Sequence, residues 1–290
     1  MPRPLCLFHK NCLDGSGAAA VVARRFPNME FLPVQYGAPP PTVEGRDVYL
    51  VDFGYSLEGM RRLKAQANSL VWIDHHGSQE DIWKSLGWGV FDTRECGTSL
   101  TWRTLFPGEP EPPVVAYIRD KDLWQWRLPD SRAVCAGLAE TFANSKFQGL
   151  LEADLVAMAE RGRPILAARQ LRIEAAARTG VAIRDAFGIP GMTALAVPTT
   201  QDQNELGEHI CRPLAEGGLG YDVAVMYYRK SGTTHWVHSL RSREGVIAGG
   251  APVDCGAIAA RNGGGGHPTS GCFLSPTPLV PPSLSPANPS

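Results

Sequence analysis

Three apolar runs in the first 76 residues end in side chains that bind metals or move protons. "LCLFH" closes on His9, with Cys12 and Asp14 close behind; "VYLVD" closes on Asp52; "LVWID" closes on Asp74, followed by His75 and His76. Carboxylates mixed with imidazoles suit divalent ions, Mn2+ first, with Mg2+, Co2+ or Zn2+ as competitors. A single Asp after a strand is more often a helix cap, and a single His a satisfied polar group. Three such run ends in one chain favour a metal site. Several buried acids need cations to stay together, and two ions about 3.5–4 Å apart sharing a carboxylate serve phosphoryl chemistry.

Elements must bring these residues together. Residues 4–9, 30–37, 47–54 and 69–77 have strand character, and 15–26 and 56–67 have helical spacing, the latter with Ser56 as N-cap. Alternating strands and helices predict a mostly parallel sheet covered on both faces. The C-terminal strand ends of such a sheet line one crevice. "VVAYIRDKDLWQW" (114–126) has helical spacing running into charge. Residues 150–187 are rich in Ala, Arg and Glu at 3.6-residue periodicity, predicting one or two helices. From Thr193 to Leu274 a second, smaller α/β unit is expected. Residues 275–290 hold six prolines and four serines, a composition expected to be disordered. The fold class is therefore α/β: a parallel-sheet domain (1–149), a helical linker (150–188), a smaller α/β domain (189–274) and a tail (275–290).

With 290 residues and a net charge of −1, the chain lacks the basic excess that long duplex DNA demands, so a short or small anion is the expected partner. Seven cysteines without a C-x-x-C pair argue against a disulfide framework and for a reducing compartment. No apolar stretch is long enough for a membrane span or a secretory signal, so a cytoplasmic protein is expected.

"H-x-x-C-x-D-G" at 9–15, "VDFG" at 51–54, "DHH" at 74–76 and "GGGGHPTSG" at 263–271 occur in order. Together they resemble the DHH phosphoesterase superfamily with its C-terminal DHHA1 domain, over residues 4–274. The resemblance implies that His9 ligates one metal, Asp14 and His75 a second, and that Asp52 bridges both. It places a further carboxylate in "IRDKDLW", at Asp122 or alternatively Asp120. Asp74 orients a ligand, and His76 faces the substrate phosphate. Relatives often carry Asp where this chain has Cys12. A thiolate there favours softer ions such as Zn2+ or Fe2+; alternatively Cys12 is a bystander and the first metal sits in a water-rich site.

In the second half, Gly264, Gly265 and Gly266 let backbone approach an anion, although a glycine run is equally a plain loop. The resemblance assigns substrate binding to those glycines and His267, and phosphate binding to Arg241, which is otherwise a surface ion-pair residue. The activity it implies is two-metal hydrolysis of short oligonucleotides or dinucleotides, by attack of a bridging hydroxide on phosphorus. A phosphatase acting on polyphosphate, pyrophosphate or a bisphosphate nucleotide is the alternative. A third possibility is a non-catalytic nucleotide-binding protein in which Cys12 disables one metal site. Tyr36, Trp124, Trp126 and Trp236 are candidates for stacking a base.

Overall fold

The computed structural model describes residues 2–142 and 146–279. The chain divides into two units, Met1–Ala167 and Ala168–Ser290.

Alternation along the strands builds the first unit. Strands β1 (Leu5–His9), β2 (Glu30–Val34), β3 (Asp47–Val51), β4 (Ser69–Asp74) and β5 (Val90–Phe91) form a parallel sheet in the order β2-β1-β3-β4-β5. Successive side chains of a strand point to opposite faces. Leu5, Leu7, Val48, Leu50, Leu70 and Trp72 therefore enter one core, against α2 (Leu57–Gln66) and α3 (Glu80–Leu86). Cys6, Phe8, Val51 and Ile73 enter the other, against α1 (Leu13–Arg25), α4 (Gly97–Leu105), α5 (Pro113–Asp122) and α6 (Ser131–Phe142). Both faces are covered, as a parallel sheet requires. Ser56 caps α2 by accepting the Gly59 N–H at 3.3 Å.

The strand order fixes where a ligand can sit. The chain passes from β1 outward to β2, then returns across β1 to β3 and continues the other way. That reversal opens a crevice at the C-terminal ends of β1 and β3. His9 is the last residue of β1, and Asp52 directly follows β3.

Helix α7 (Leu155–Arg178) carries the division between the units. The helical periodicity expected to run to Phe187 stops at Arg178. Past it, Gly180 packs its backbone against Leu195, and Val181–Arg184 forms strand β6. The β-branched Val181 and Ile183 suit that extended backbone.

The second unit holds a mixed sheet of β6, β7 (Thr193–Pro198), β8 (Val223–Arg229), β9 (Trp236–Arg241), β12 (Gly265–His267) and β13 (Ser270–Ser275), in the order β12-β13-β9-β8-β7-β6. A short hairpin of β10 (Ile247–Ala248) and β11 (Ala251–Pro252) stands apart from it. Helix α8 (Gln203–Cys211) covers one face with Ile173 and Ala177, while α9 (Cys255–Arg261) packs on the other. Part of the proline-rich tail is ordered: Ser275 pairs with Trp236, and the Leu279 N–H donates to His238 Nε2 at 3.1 Å. The rest of the tail, from residue 280, lies outside the described residues. All seven cysteines are free, and among the described residues no helix is long and apolar enough to cross a membrane.

Candidate metal centre

Five elements of the first unit deliver its acids and imidazoles to one place. β1 supplies His9, the start of α1 supplies Cys12 and Asp14, the end of β3 supplies Asp52, the end of β4 supplies Asp74 to His76, and the C-terminus of α5 supplies Asp122. Ligand-type atoms of His9, Cys12 and Asp52 lie within 4.8 Å of one another, and so do those of Asp14, His75 and Asp122. His75 Nε2 joins the groups: it is 3.2 Å from Asp52 Oδ1, 3.5 Å from Asp14 Oδ2 and 3.5 Å from Asp122 Oδ2. Asp52 thus has one oxygen toward each group, because its Oδ2 lies 3.6 Å from His9 Nδ1.

The backbone at Asp52 is left-handed, with φ +54°. That region is uncommon for a residue other than glycine, and such strain concentrates at functional sites. The Asp52 N–H bonds to the Ile73 carbonyl at 2.9 Å, which holds the turn in place. Gly97 makes room for it, since a Cβ there would stand 2.6 Å from the Asp52 Cβ.

Asp14 is held by a helix it does not belong to. Its carboxylate accepts the Gly97 N–H at 2.6 Å and the Thr98 N–H at 2.7 Å, and the Thr98 hydroxyl donates to its backbone carbonyl at 2.9 Å. The acid therefore occupies the N-terminus of α4, where unpaired N–H groups favour negative charge. Gly97 and Thr98 are site residues that sequence reasoning missed. "ECGTS" is a helix-start signal, but nothing local to it points to Asp14.

Asp74 and Asp120 do different work from the ligand candidates. Asp74 is fully buried, and its Oδ1 accepts the His75 N–H at 2.8 Å and pairs with His76 Nδ1 at 2.7 Å. This leaves Nε2 as the His76 nitrogen able to meet a ligand. Asp120 and Asp122 are separated by about 200° around α5, so only one can face the cluster. Asp122 does. Asp120 instead accepts the Arg127 N–H at 2.8 Å and the Leu128 N–H at 3.3 Å.

The charge balance explains the titration of the cluster. Burial, then the Asp52 and Asp122 carboxylates, push the Asp14 carboxyl up to about 8, against the pull of His75 and Thr98. Burial raises Asp122 as well. Burial also opposes ionisation of Asp52, but the His75 and His9 imidazoles hold its carboxyl well below the usual range. His75 loses charge stability by burial, yet Asp52, Asp14 and Asp122 raise it to about 10. Burial, with Asp52, Asp122 and Asp14 adding to it, pushes the Cys12 thiol far up. Protons are thus held where the acids crowd.

The residues fit divalent cations. His9 Nδ1 and Asp52 Oδ2 are sealed from solvent without a hydrogen-bond partner. Buried polar atoms are rarely left so, and carboxylate and imidazole donors together suit a divalent ion.

The remaining predicted residues lie in the second unit. Arg241, Ser270 and His267 stand opposite one another across β9, β13 and β12, which puts them on one face in one row. Arg241 Nε and Nη2 donate to Asn204 Oδ1 at 2.9 and 2.7 Å, and Nη1 donates to the Leu240 carbonyl at 2.7 Å. Asn204, on α8, is a second residue the sequence did not single out. Gly265 and Gly266, the second half of the glycine run, belong to the edge strand β12. Gly266 has φ +151°, and a Cβ on it would meet the Ser270 carbonyl at 2.2 Å, so no other residue fits that pairing. His267 is exposed on this edge.

No family model matches the sequence. One curated relative, Uncharacterized protein R106 of Acanthamoeba polyphaga mimivirus, is 22% identical over 144 residues, covering 43% of this chain and 34% of that protein. The chain thus spans about a third of the length of the curated relative it matches. Among solved structures, the DHH domain of PF0399, a member of the s1p family of ribosomal proteins, aligns with a TM-score of 0.55 at 15% identity, over 94% of this chain and 82% of that one. Exonuclease RecJ bound to manganese aligns with a TM-score of 0.49 at 16% identity, over 93% and 85% of the two chains. The pGpG-specific phosphodiesterase PggH of Vibrio cholerae aligns at 0.46 and 13%, over 94% and 93%. At such identities a likeness shows fold alone, and the PF0399 match carries it: the chain has a DHH-type fold.

Proposed function

From this DHH-type fold and the acids it gathers, we propose that the protein is a metal-dependent phosphoesterase that cleaves short oligonucleotides or dinucleotides. The observation that supports it most is Asp52, buried and strained, with one oxygen toward His9 and the other toward His75. In this reading His9, Asp52 and Cys12 hold one divalent ion, and Asp14, His75, Asp122 and Asp52 hold another. When bound, two such ions activate water and offset charge on the phosphoryl oxygens. Mn2+ is the expected ion at the oxygen-rich site; Cys12 makes the other more accepting of Zn2+.

The chain's own residues do the rest. Asp74 holds the His76 imidazole through Nδ1 and the His75 backbone through its N–H. His76 presents Nε2 to a phosphoryl oxygen. Asp14 is positioned by the α4 N-terminus. We assign the metal chemistry to residues 1–149, and phosphate binding to Arg241 and His267 of a DHHA1-like unit (189–274). That second assignment rests on their shared row in the sheet. The free cysteines fit a reducing, cytoplasmic setting.

A panel of diadenylate, short oligoribonucleotides, pyrophosphate, polyphosphate and a bisphosphate nucleotide, each with Mn2+, tests this reading. Cleavage of the diadenylate is expected. Hydrolysis of polyphosphate or pyrophosphate with the dinucleotide untouched would overturn it.

A further inference from the structure

Arg241, in the second unit, is a half-buried cation held by neutral groups alone. Its Nε and Nη2 donate to Asn204 Oδ1 at 2.9 and 2.7 Å, and its Nη1 donates to the Leu240 carbonyl at 2.7 Å. Among the described residues no Asp or Glu forms an ion pair with it. Burial lowers its pKa from the ordinary value, and no carboxylate acts against that shift. Charges withdrawn from water are paired in folded proteins, so this one lacks an anion.

The residues around it keep it so. Three acids lie on α8 or cap it: Asp202, Glu205 and Glu208. Each serves another arginine. Asp202 pairs with Arg169 at 3.3 Å and with Arg172 at 3.0 Å, Glu205 with Arg169 at 2.9 Å, and Glu208 with Arg212 at 3.1 Å. The α8 side chain that ties Arg241 is the neutral amide of Asn204. Gly207 lets the arginine stem lie against the helix, since a Cβ there would stand 2.6 Å from both Cβ and Cγ of Arg241. A guanidinium has five N–H donors, and the contacts above use three. The other two, one on each terminal nitrogen, match two oxygens of a phosphoryl group. Ser270 stands opposite Arg241 on the same face of the sheet and adds a hydroxyl beside it.

We propose that Asn204 is a positioning residue, which fixes the Arg241 guanidinium without neutralising it and so keeps a full positive charge for a phosphoryl group of the substrate. An aspartate at this position would hold the arginine equally well and cancel its charge. The proposal deepens the phosphoesterase reading and rests on it for the identity of the anion.

Two arms separate its failure from that of the reading itself. In the first, inorganic phosphate is titrated calorimetrically into the full chain kept free of metal. Wild type binds it, and Arg241→Gln does not. Asn204→Asp preserves size and an acceptor oxygen, yet weakens binding by roughly tenfold or more, the scale of one nearby unit charge partly screened by solvent. Its thermal midpoint stays at or above that of wild type, so the loss is not unfolding. Asn204→Gln is the bulkier change but stays neutral, and it binds phosphate better than Asn204→Asp. In the second arm, diadenylate is cleaved with Mn2+. Asn204→Asp raises KM and leaves kcat largely in place, as expected when binding is lost equally from ground and transition states. The predicted order of phosphate affinities without cleavage of any substrate supports the role of Asn204 and counts against the enzyme. Cleavage with KM and phosphate affinity unchanged in Asn204→Asp overturns that role and leaves the enzyme. No phosphate binding by wild type, or Asn204→Asp binding better than Asn204→Gln, overturns it as well.

Discussion

Asp52 Oδ2 and His9 Nδ1 face each other at 3.6 Å, both sealed from solvent and neither hydrogen-bonded. Buried groups this polar cost stability unless something bridges them, on the order of 1–3 kcal/mol for each unmet partner. A divalent cation resolves that cost, because each atom offers it a lone pair. The protein should therefore be more stable with metal than without. A thermal unfolding series against Mn2+ concentration should show Tm rising with the ion, as for any ligand that binds only the folded state. A flat series speaks against a built site.

Asp122 and Asp120 should separate cleanly under mutation. Asp122→Asn removes a ligand candidate, and the second ion should bind more weakly with the fold intact. Asp120→Ala leaves the Arg127 and Leu128 N–H groups unpaired and should lower stability by about 1–3 kcal/mol with ion stoichiometry unchanged. Metal titration and chemical denaturation of both variants check this. Equal loss of metal from both contradicts the geometry.

Metal affinity should climb with pH. Without an ion, His75 keeps its proton up to about 10 and Asp14 up to about 8. Both exceed their ordinary values, so at neutral pH an ion must displace these protons to bind. Below pH 8 both are released and between pH 8 and 10 only that of His75, while a coordinating Cys12 adds the proton of its raised thiol. Affinity should rise roughly tenfold per pH unit for each proton displaced. Calorimetry in buffers of differing ionisation enthalpy counts the protons directly, and a count of zero at pH 7 would be incompatible with the cluster described.

His238 should make the second unit acid-sensitive. It is fully buried between Tyr227 and Phe273, stacked on the latter at 4.7 Å, and burial lowers its pKa to about 4. The unfolded chain takes up this proton near 6.5 while the folded chain resists it, so stability falls as pH drops from about 6.5 toward 4. His238→Phe keeps the stack and removes the proton, so its stability should depend less on pH across that window. Denaturation midpoints at pH 7 and pH 5 make the comparison. An unchanged pH dependence argues that His238 takes up its proton at the same pH in the folded and unfolded chain.

The legible part of this protein lies where chemistry and strand end coincide. His9, Asp52 and the Asp74–His76 run could be found because apolar alternation fixes the strands and the acids follow them directly. What was hidden depends on contacts between distant segments. Asp14 caps α4 through Gly97, 83 residues on, and no local pattern records that. Asp122 is preferred over Asp120 only through the resemblance; the rotation of α5 turns Asp122 toward the cluster and Asp120 to the Arg127 and Leu128 N–H groups. Residues 181–184 follow a helical composition, yet pairing with β7 takes them into the sheet. Four glycines suggest a loop, whereas Gly266 is where a strand pairing admits no side chain.

The shared role of Asp52 is tested most directly by counting Mn2+ ions per chain calorimetrically in wild type and in Asp52→Asn, alongside cleavage of diadenylate. The account predicts two ions in wild type, one or none in the variant, and no cleavage by the variant. Two ions and undiminished cleavage in Asp52→Asn would contradict it.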